Sequence, residues 1–304
     1  VKFLNFEVPG DHGRVQAGFF RDGRVHSVDI TLGESPWHID PDRLADLPAM
    51  AKALEDSWTG PGLDPAEIIW HTPVMPVSSF RDFYAFEQHV KTARAKRDLE
   101  VAPEWYKLPV FYFSNHAAIF GHEADIPLPA FREELDFELE VAAVIGRGGL
   151  DISVEDADAH IAGFTVLNDW SSRAVQRREM SVGLGPAKGK DFASQIGPFL
   201  VTPDELAHAK SGKGFDLAMS ARVNGEELSR GNWKSIHWSF AEMIAHASAG
   251  VELKPGDLIG SGTVGTGCLL EIGIEKLGRW LAPGDVVELE IEGLGVLRGR
   301  LAKE

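Results

Sequence analysis

Tight-turn signals punctuate this chain from end to end, and they limit its fold more than any other feature. Asp22-Gly23 follows Phe19-Phe20-Arg21 and precedes Arg24-Val25, and Asn224-Gly225 follows the stretch Ala218 to Val223. Both dipeptides favour the positive-φ turns that join antiparallel strands. Pro255-Gly256-Asp257 and Pro283-Gly284-Asp285 carry the same turn chemistry. With 32 glycines and scattered helical stretches, the expected fold is α+β and mainly β.

Strands are expected over Phe137 to Ile145, Phe164 to Leu167, Phe199 to Thr202, Ala218 to Val223 and Leu258 to Gly260. Val287, Leu289 and Ile291 alternate with Glu288, Glu290 and Glu292, as in a half-exposed strand. Pro41 to Trp58 reads as a helix, with Leu44, Leu47, Met50, Ala51 and Leu54 at helical spacing. Ser239 and Glu242 form a capping box ahead of Phe240, Met243, Ile244 and Ala247, and Gly250 ends that helix. Ser153 is expected to cap a helix to about Ile161, and Ser79 to open one carrying Phe83, Phe86 and Val90. His71 to Ser79, with Pro73 and Pro76, reads as an extended linker. That places a small β-rich domain at residues 1–72 and a larger one at 73–304.

A net charge of −16 argues against a nucleic-acid partner, whose phosphates call for a basic surface. One cysteine, Cys268, excludes an intrachain disulfide framework and a Cys-rich zinc site. No apolar run reaches the ~18 residues of a membrane span. Val1 to Gly10 contains Glu7 and lacks the pattern of a signal peptide. A cytoplasmic location without membrane attachment is the expectation.

The segment from Leu135 to Val141 carries the most chemical information. In a strand, Glu138 and Glu140 project to one side, and Leu139 and Val141 to the other. Two carboxylates so close repel unless a positive charge lies between them, and a hard divalent cation supplies it. Asp169 follows the apolar run Phe164 to Leu167 and offers a third carboxylate at a strand end. A solvated strand face explains paired glutamates more simply, as at Glu288, Glu290 and Glu292. Against it, the even positions after Glu140 are Ala142 and Val144. The local pattern leaves both readings open.

A set of ordered motifs from about Arg81 to Glu292 resembles the fumarylacetoacetate hydrolase family. Asp82-Phe83-Tyr84 followed by His89 is similar to the family's segment with a metal-ligating Asp, a substrate-binding Tyr and the catalytic His. Leu135 to Glu140 resembles its paired-glutamate metal strand, and Tyr112 its second substrate tyrosine. Asn168-Asp169-Trp170-Ser171-Ser172-Arg173, with Gln176, resembles the segment holding a further metal ligand and the oxyanion Arg and Gln. Gly189-Lys190, Gly262-Thr263 and Glu271 match the family's lysine, its substrate-contacting threonine and the acid that pairs with the catalytic His. The resemblance implies a mixed β-roll C-terminal domain, an SH3-like N-terminal domain and a homodimer. It also implies hydrolysis of a C–C bond in a β-diketo acid, of the fumarylacetoacetate or acylpyruvate kind, with bound Mg2+, Ca2+ or Mn2+.

On that resemblance, metal ligation falls to Glu138, Glu140, Asp169 and Asp82, and substrate binding to Tyr84, Tyr112 and Thr263. His89 is the general base with Glu271 as its orienter; Arg173, Gln176 and Lys190 face the oxyanion. Alternative functions are a hydratase, dehydratase or decarboxylase of the same family acting on a 2-keto acid, and a non-catalytic β-rich protein with a structural Ca2+. Three features depart from the family pattern. Thr92 stands where smaller members carry a Glu three residues after the His. The stretch from Asp169 to Lys190 is one residue longer, and no arginine is in register for the substrate carboxylate, although Arg94 and Arg97 are near.

Overall fold

Asp22 and Gly23 adopt φ of 50° and 76°, and Asn224 and Gly225 of 52° and 85°. Each pair closes an antiparallel hairpin, as their turn chemistry requires. The computed structural model describes residues 1–28, 31, 38–57 and 60–303. Its first strands are β1 (Lys2–Glu7), β2 (Val15–Arg21), β3 (Arg24–Ser27), β4 (Ile69–Trp70), β5 (Ser79–Phe83), β6 (Phe111–Ser114) and β7 (Ile119–Phe120). Next come β8 (Ala124–Ile126), β9 (Leu135–Asp136), β10 (Leu139–Ile145), β11 (Ile161–Asp169), β12 (Ser171–Ser172) and β13 (Ser194–Val201). The last are β14 (Lys210–Ser211), β15 (Gly214–Phe215), β16 (Ala218–Val223), β17 (Glu226–Asn232), β18 (Asp257–Gly260), β19 (Val286–Ile291) and β20 (Gly295–Leu301). The helices used below are α1 (Leu47–Ser57), α2 (Glu87–Ala95), α3 (Arg173–Ser181), α4 (Phe240–Ser248) and α5 (Leu269–Ile272).

The main sheet runs β3-β2-β1-β13-β11-β10-β18-β5-β6, with β4 added on β1 and β7 on β13. A second sheet runs β17-β16-β19-β20-β8. β10, at the centre of the main sheet, is buried along its whole length. Leu139, Val141, Ala143 and Ile145 join a core with Met219, Leu289 and Leu297 of the second sheet and with Phe240, Met243 and Ile244 of α4. Ala142 and Val144 join a separate core under Leu47, Met50 and Leu54 of α1. A strand covered on both faces has no need of polar alternation, which is why this segment turns apolar after Glu140.

β19 alternates as expected, with Val287, Leu289 and Ile291 buried. The capping box at Ser239 and Glu242 is present. The helix expected from Pro41 begins as a 3-10 turn over Pro41–Asp46 and continues as α1 to Ser57; Trp58 lies outside the described residues. β1 pairs with β13 through Lys2 and Phe3, so the main sheet itself runs across residue 72.

Two helix expectations fail. Ser79 to Phe83 is a strand, because the Ser79 hydroxyl donates to Asp257 at 2.7 Å instead of capping, and β5 lies between β18 and β6. The helix that follows starts only at Glu87. Ser153 caps no α-helix: one 3-10 turn spans Ala157–His160, and Ile161 already pairs with Ile145. Among the described residues, no helix is long and apolar enough to cross a membrane.

Candidate active site

Asp82 in β5 stands opposite Gly260 of β18 and Tyr112 of β6. Glu140, near the start of β10, pairs with Leu167 of β11, whose last residue is Asp169. Glu138 does not continue the strand. It lies in an irregular step between β9 and β10, where its backbone N–H donates to Asn168 Oδ1 at 3.0 Å. Carboxylate oxygens of Asp82, Glu138 and Glu140 converge to within 4.8 Å of one another, all buried.

Asp169 lies beside this trio. Its oxygens accept from Lys190 Nζ at 2.6 Å, from Ser194 Oγ at 3.1 Å and from the Tyr112 hydroxyl. Lys190 also donates to Glu138, and Arg173 forms an ion pair with Glu138 at 2.8 Å. Four buried carboxylates thus face two fixed cations.

The imbalance shows in their acidities. Burial, reinforced by the Asp169 charge, pushes Asp82 up to about 8. Burial, then Asp82, Glu138 and Asp169, holds Glu140 well above the usual carboxylate range. Burial acts on Glu138 too, but Lys190 and Arg173 overcome it and hold it at about 2. Thr263 Oγ1 donates to one oxygen of Glu140 at 3.3 Å, while the other, Oε2, is buried with no hydrogen bond. Excess buried negative charge with an unpartnered oxygen is the condition that an oxygen-ligated divalent cation relieves. The residues fit such an ion.

His89 on α2 faces the same cleft. Its Nδ1 lies 2.8 Å from Glu271 Oε2 on α5, although the contact is too bent to satisfy hydrogen-bond geometry. The ring stacks edge-on against Tyr84, 5.3 Å between centroids, and burial raises the Tyr84 hydroxyl to about 12. Arg173, the first residue of α3, donates from Nη1 to Gln176 Oε1 at 2.9 Å. A Cβ at position 189 would sit 2.8 Å from the Gln176 backbone nitrogen, so only glycine lets this loop close on α3 and deliver Lys190. Gly262, at φ 74°, donates its N–H to Asp82 Oδ1 at 3.2 Å, which no bulkier residue could do beside the Phe83 carbonyl.

A cavity of about 390 Å3 opens over these groups. Asp82, Tyr84, His89, Tyr112, Glu138, Glu140, Arg173, Gln176, Lys190 and Thr263 all line it. Asp169 and Glu271 do not; they act from behind Lys190 and His89. His89 and Ala93 share the face of α2 that walls the cavity, and Arg94 on the helix and Arg97 in the turn after it join them.

Sequence reasoning passed over Asp136. This fully buried carboxylate accepts from Arg173 Nε at 2.8 Å and from the Leu269 and Leu270 N–H groups at 2.8 and 3.0 Å. It therefore ties Arg173 to the turn that carries Glu271. Beside two glutamates it carries no local signal of its own. Ser194, which donates to Asp169, was equally silent.

The family pattern for the fumarylacetoacetate hydrolase C-terminal domain matches residues 78–302. Fumarylacetoacetase from Arabidopsis thaliana is 31% identical over 248 residues, covering 65% of this chain and 59% of that protein. Mitochondrial oxaloacetate tautomerase from Homo sapiens is 36% identical over 192 residues, covering 63% and 58%. The match thus spans less than two thirds of these relatives' own length. Among solved structures, fumarylpyruvate hydrolase from Pseudomonas aeruginosa, in complex with Mn2+ and pyruvate, superposes with a TM-score of 0.62 at 25% identity. That superposition covers 77% of this chain and 91% of the other. With its mainly β architecture and a match over most of its length, the chain belongs to the fumarylacetoacetate hydrolase family.

Proposed function

We propose that this protein hydrolyses a C–C bond of a β-diketo acid of the acylpyruvate or fumarylacetoacetate kind, with a divalent cation as cofactor. The observation that carries the reading is one cavity lined by both the carboxylate trio and His89, whose ring is backed by Glu271. Asp82, Glu138 and Glu140, with Asp169 adjacent, would hold a Mg2+, Mn2+ or Ca2+ ion, which would supply Lewis acidity to the site.

The chain's own groups supply the rest. With Nδ1 beside Glu271, His89 turns Nε2 to the cavity, where it takes the proton of a water attacking the carbonyl. Glu271 then stabilises the imidazolium. Lys190, Arg173 and the amide N–H groups of Gln176 offer donors to the oxyanion. Collapse breaks the C–C bond, releasing a carboxylic acid and an enolate, and His89 returns its proton to the enolate carbon. An acylpyruvate plus one water thus gives a carboxylate, pyruvate and one proton.

A second reading, a tautomerase or lyase acting on a 2-keto acid, is favoured by the 36% identity to oxaloacetate tautomerase. Both pass through an enolate, and only hydrolysis adds water across a C–C bond. Incubation of the purified chain and Mn2+ with a panel of acylpyruvates and 2-keto acids, followed by product analysis, separates them. Cleavage to two carboxylic acids supports hydrolysis, and tautomerisation, gain or loss of water, or loss of CO2 supports the second reading.

A further inference from the structure

We propose that His89, Cys268 and Glu271 form a second cation site, chemically distinct from the carboxylate trio, that takes a thiophilic ion of the Zn2+ or Cd2+ type. One ligand atom from each, the His89 ring nitrogen, the Cys268 sulfur and a Glu271 oxygen, lies within 4.8 Å of the other two, and all three residues are buried. Glu271 Oε2 is the hub, 2.8 Å from His89 Nδ1 and 3.9 Å from Cys268 Sγ. Ligands around a tetrahedral zinc, with bonds of about 2.0–2.3 Å, are spaced about 3.3–3.7 Å apart. The two Glu271 separations fall on either side of that spacing, and side-chain adjustment within the 4.8 Å cluster brings the three ligand atoms to it.

An independent observation points the same way. Glu271 Oε1 is buried without a hydrogen bond, and the His89–Glu271 contact is bent, so this cluster does not satisfy itself. Cys268 precedes α5 at the N-cap position, yet its side chain makes no capping bond. The cysteine decides the ion class. Thiolate sulfur prefers Zn2+ and Cd2+, whereas the all-oxygen trio of Asp82, Glu138 and Glu140 prefers Mg2+, Mn2+ or Ca2+. Burial keeps the free thiol protonated. Binding therefore releases that proton to solvent as the metal–sulfur bond forms, the Nδ1 proton of His89 moves to Nε2, and a water completes the coordination. Resting on the hydrolase reading, one consequence follows: an ion here occupies His89 Nδ1 and removes the base without displacing the hard cation.

Titration of Cd2+ into the full chain in excess Mg2+, followed by sulfur-to-cadmium charge-transfer absorption, tests the site. Cys268 is the only cysteine, so any thiolate band belongs to it. The expected result is a saturable band at one Cd2+ per chain that Mg2+ does not abolish, with binding weakened about tenfold or more in His89→Gln and Glu271→Gln. No band, or a band of unchanged affinity in both variants, overturns the site. Should the variants fail to fold, X-ray absorption at the metal edge of the wild-type complex decides. One sulfur with an imidazole supports the site, and a shell of oxygens alone overturns it. None of these readouts needs substrate. A chain that binds Cd2+ this way yet hydrolyses nothing overturns the proposed function alone, and hydrolysis without a thiolate band overturns this site alone.

Discussion

Arg173 Nε donates to Asp136 Oδ2 over 2.8 Å, and both side chains are buried. The same carboxylate takes the first two N–H groups of α5, the turn bearing Glu271. One acid thus fixes both Arg173, the proposed oxyanion donor, and the turn bearing Glu271, the proposed partner of the base. Asp136→Asn puts an amide donor against N–H groups and should lower kcat about 10- to 100-fold with little change in KM, as loss of an outer partner does. Steady-state kinetics checks this; a change confined to KM contradicts the positioning role.

His89→Ala should lower kcat by about 100- to 10,000-fold, the range of a lost general base. Glu271→Gln should lose less, because the base remains while its imidazolium is no longer stabilised. A Glu271→Gln variant more damaged than His89→Ala contradicts this division of labour.

Glu140→Gln resembles the protonated acid that the metal-free site favours. It should leave the melting temperature in chelator unchanged or raised, since glutamine is buried without the proton uptake that Glu140 requires. The stabilisation that Mn2+ confers on the wild type should largely vanish. Thermal melts with and without Mn2+ read both effects. An undiminished Mn2+ shift removes Glu140 from the metal site.

Arg97 walls the cavity and donates to the Ala93 carbonyl at 3.3 Å and the Met180 sulfur at 3.7 Å. Arg94 is tied to the Glu100 carbonyl. A thioether sulfur is a weak acceptor, so the Arg97 guanidinium end can exchange it for a substrate carboxylate. Arg97→Ala should raise KM about tenfold or more for diketo acids with a distal carboxylate, in keeping with a lost charge-assisted hydrogen bond. Substrates ending in a methyl group should be spared; an equal rise for both contradicts the assignment.

His122 contributes to acid stability away from the site. Burial lowers it from 6.5 to about 4, and its Nδ1 accepts the Arg298 N–H at 3.1 Å. Below pH 6.5 the unfolded chain binds a proton that the folded chain refuses until about pH 4. Stability therefore falls as pH drops through that window. His122→Asn, which keeps an acceptor, should flatten the dependence of melting temperature on pH there. An unchanged slope contradicts the role of His122.

Features encoded within a few residues were legible in the sequence. The Asp22-Gly23 and Asn224-Gly225 hairpins, the Ser239 capping box and the alternation of β19 all rest on local chemistry. Phe83 was misplaced on a helix because a short apolar run serves strand and helix alike, and only pairing with β18 and β6 decides. The pairing of Lys2 with Val201 is a long-range event with no local signature. At the site, Glu138 and Glu140 stand out as a pair, whereas Asp136 has no local signature because its partners Leu269 and Leu270 lie more than 130 residues away. The short-range His–Glu pair ruled out by Thr92 is replaced by one that only the fold assembles, between His89 and Glu271.

The central claim is that water activated at His89 splits a diketo acid. The most direct test runs the reaction with Mn2+ in isotopically labelled water and weighs the products. The account predicts two acids, with one solvent oxygen in the carboxylate released from the attacked carbonyl, and loss of that product in His89→Ala. Turnover of every substrate without C–C scission, or labelled cleavage that persists undiminished in His89→Ala, would contradict it.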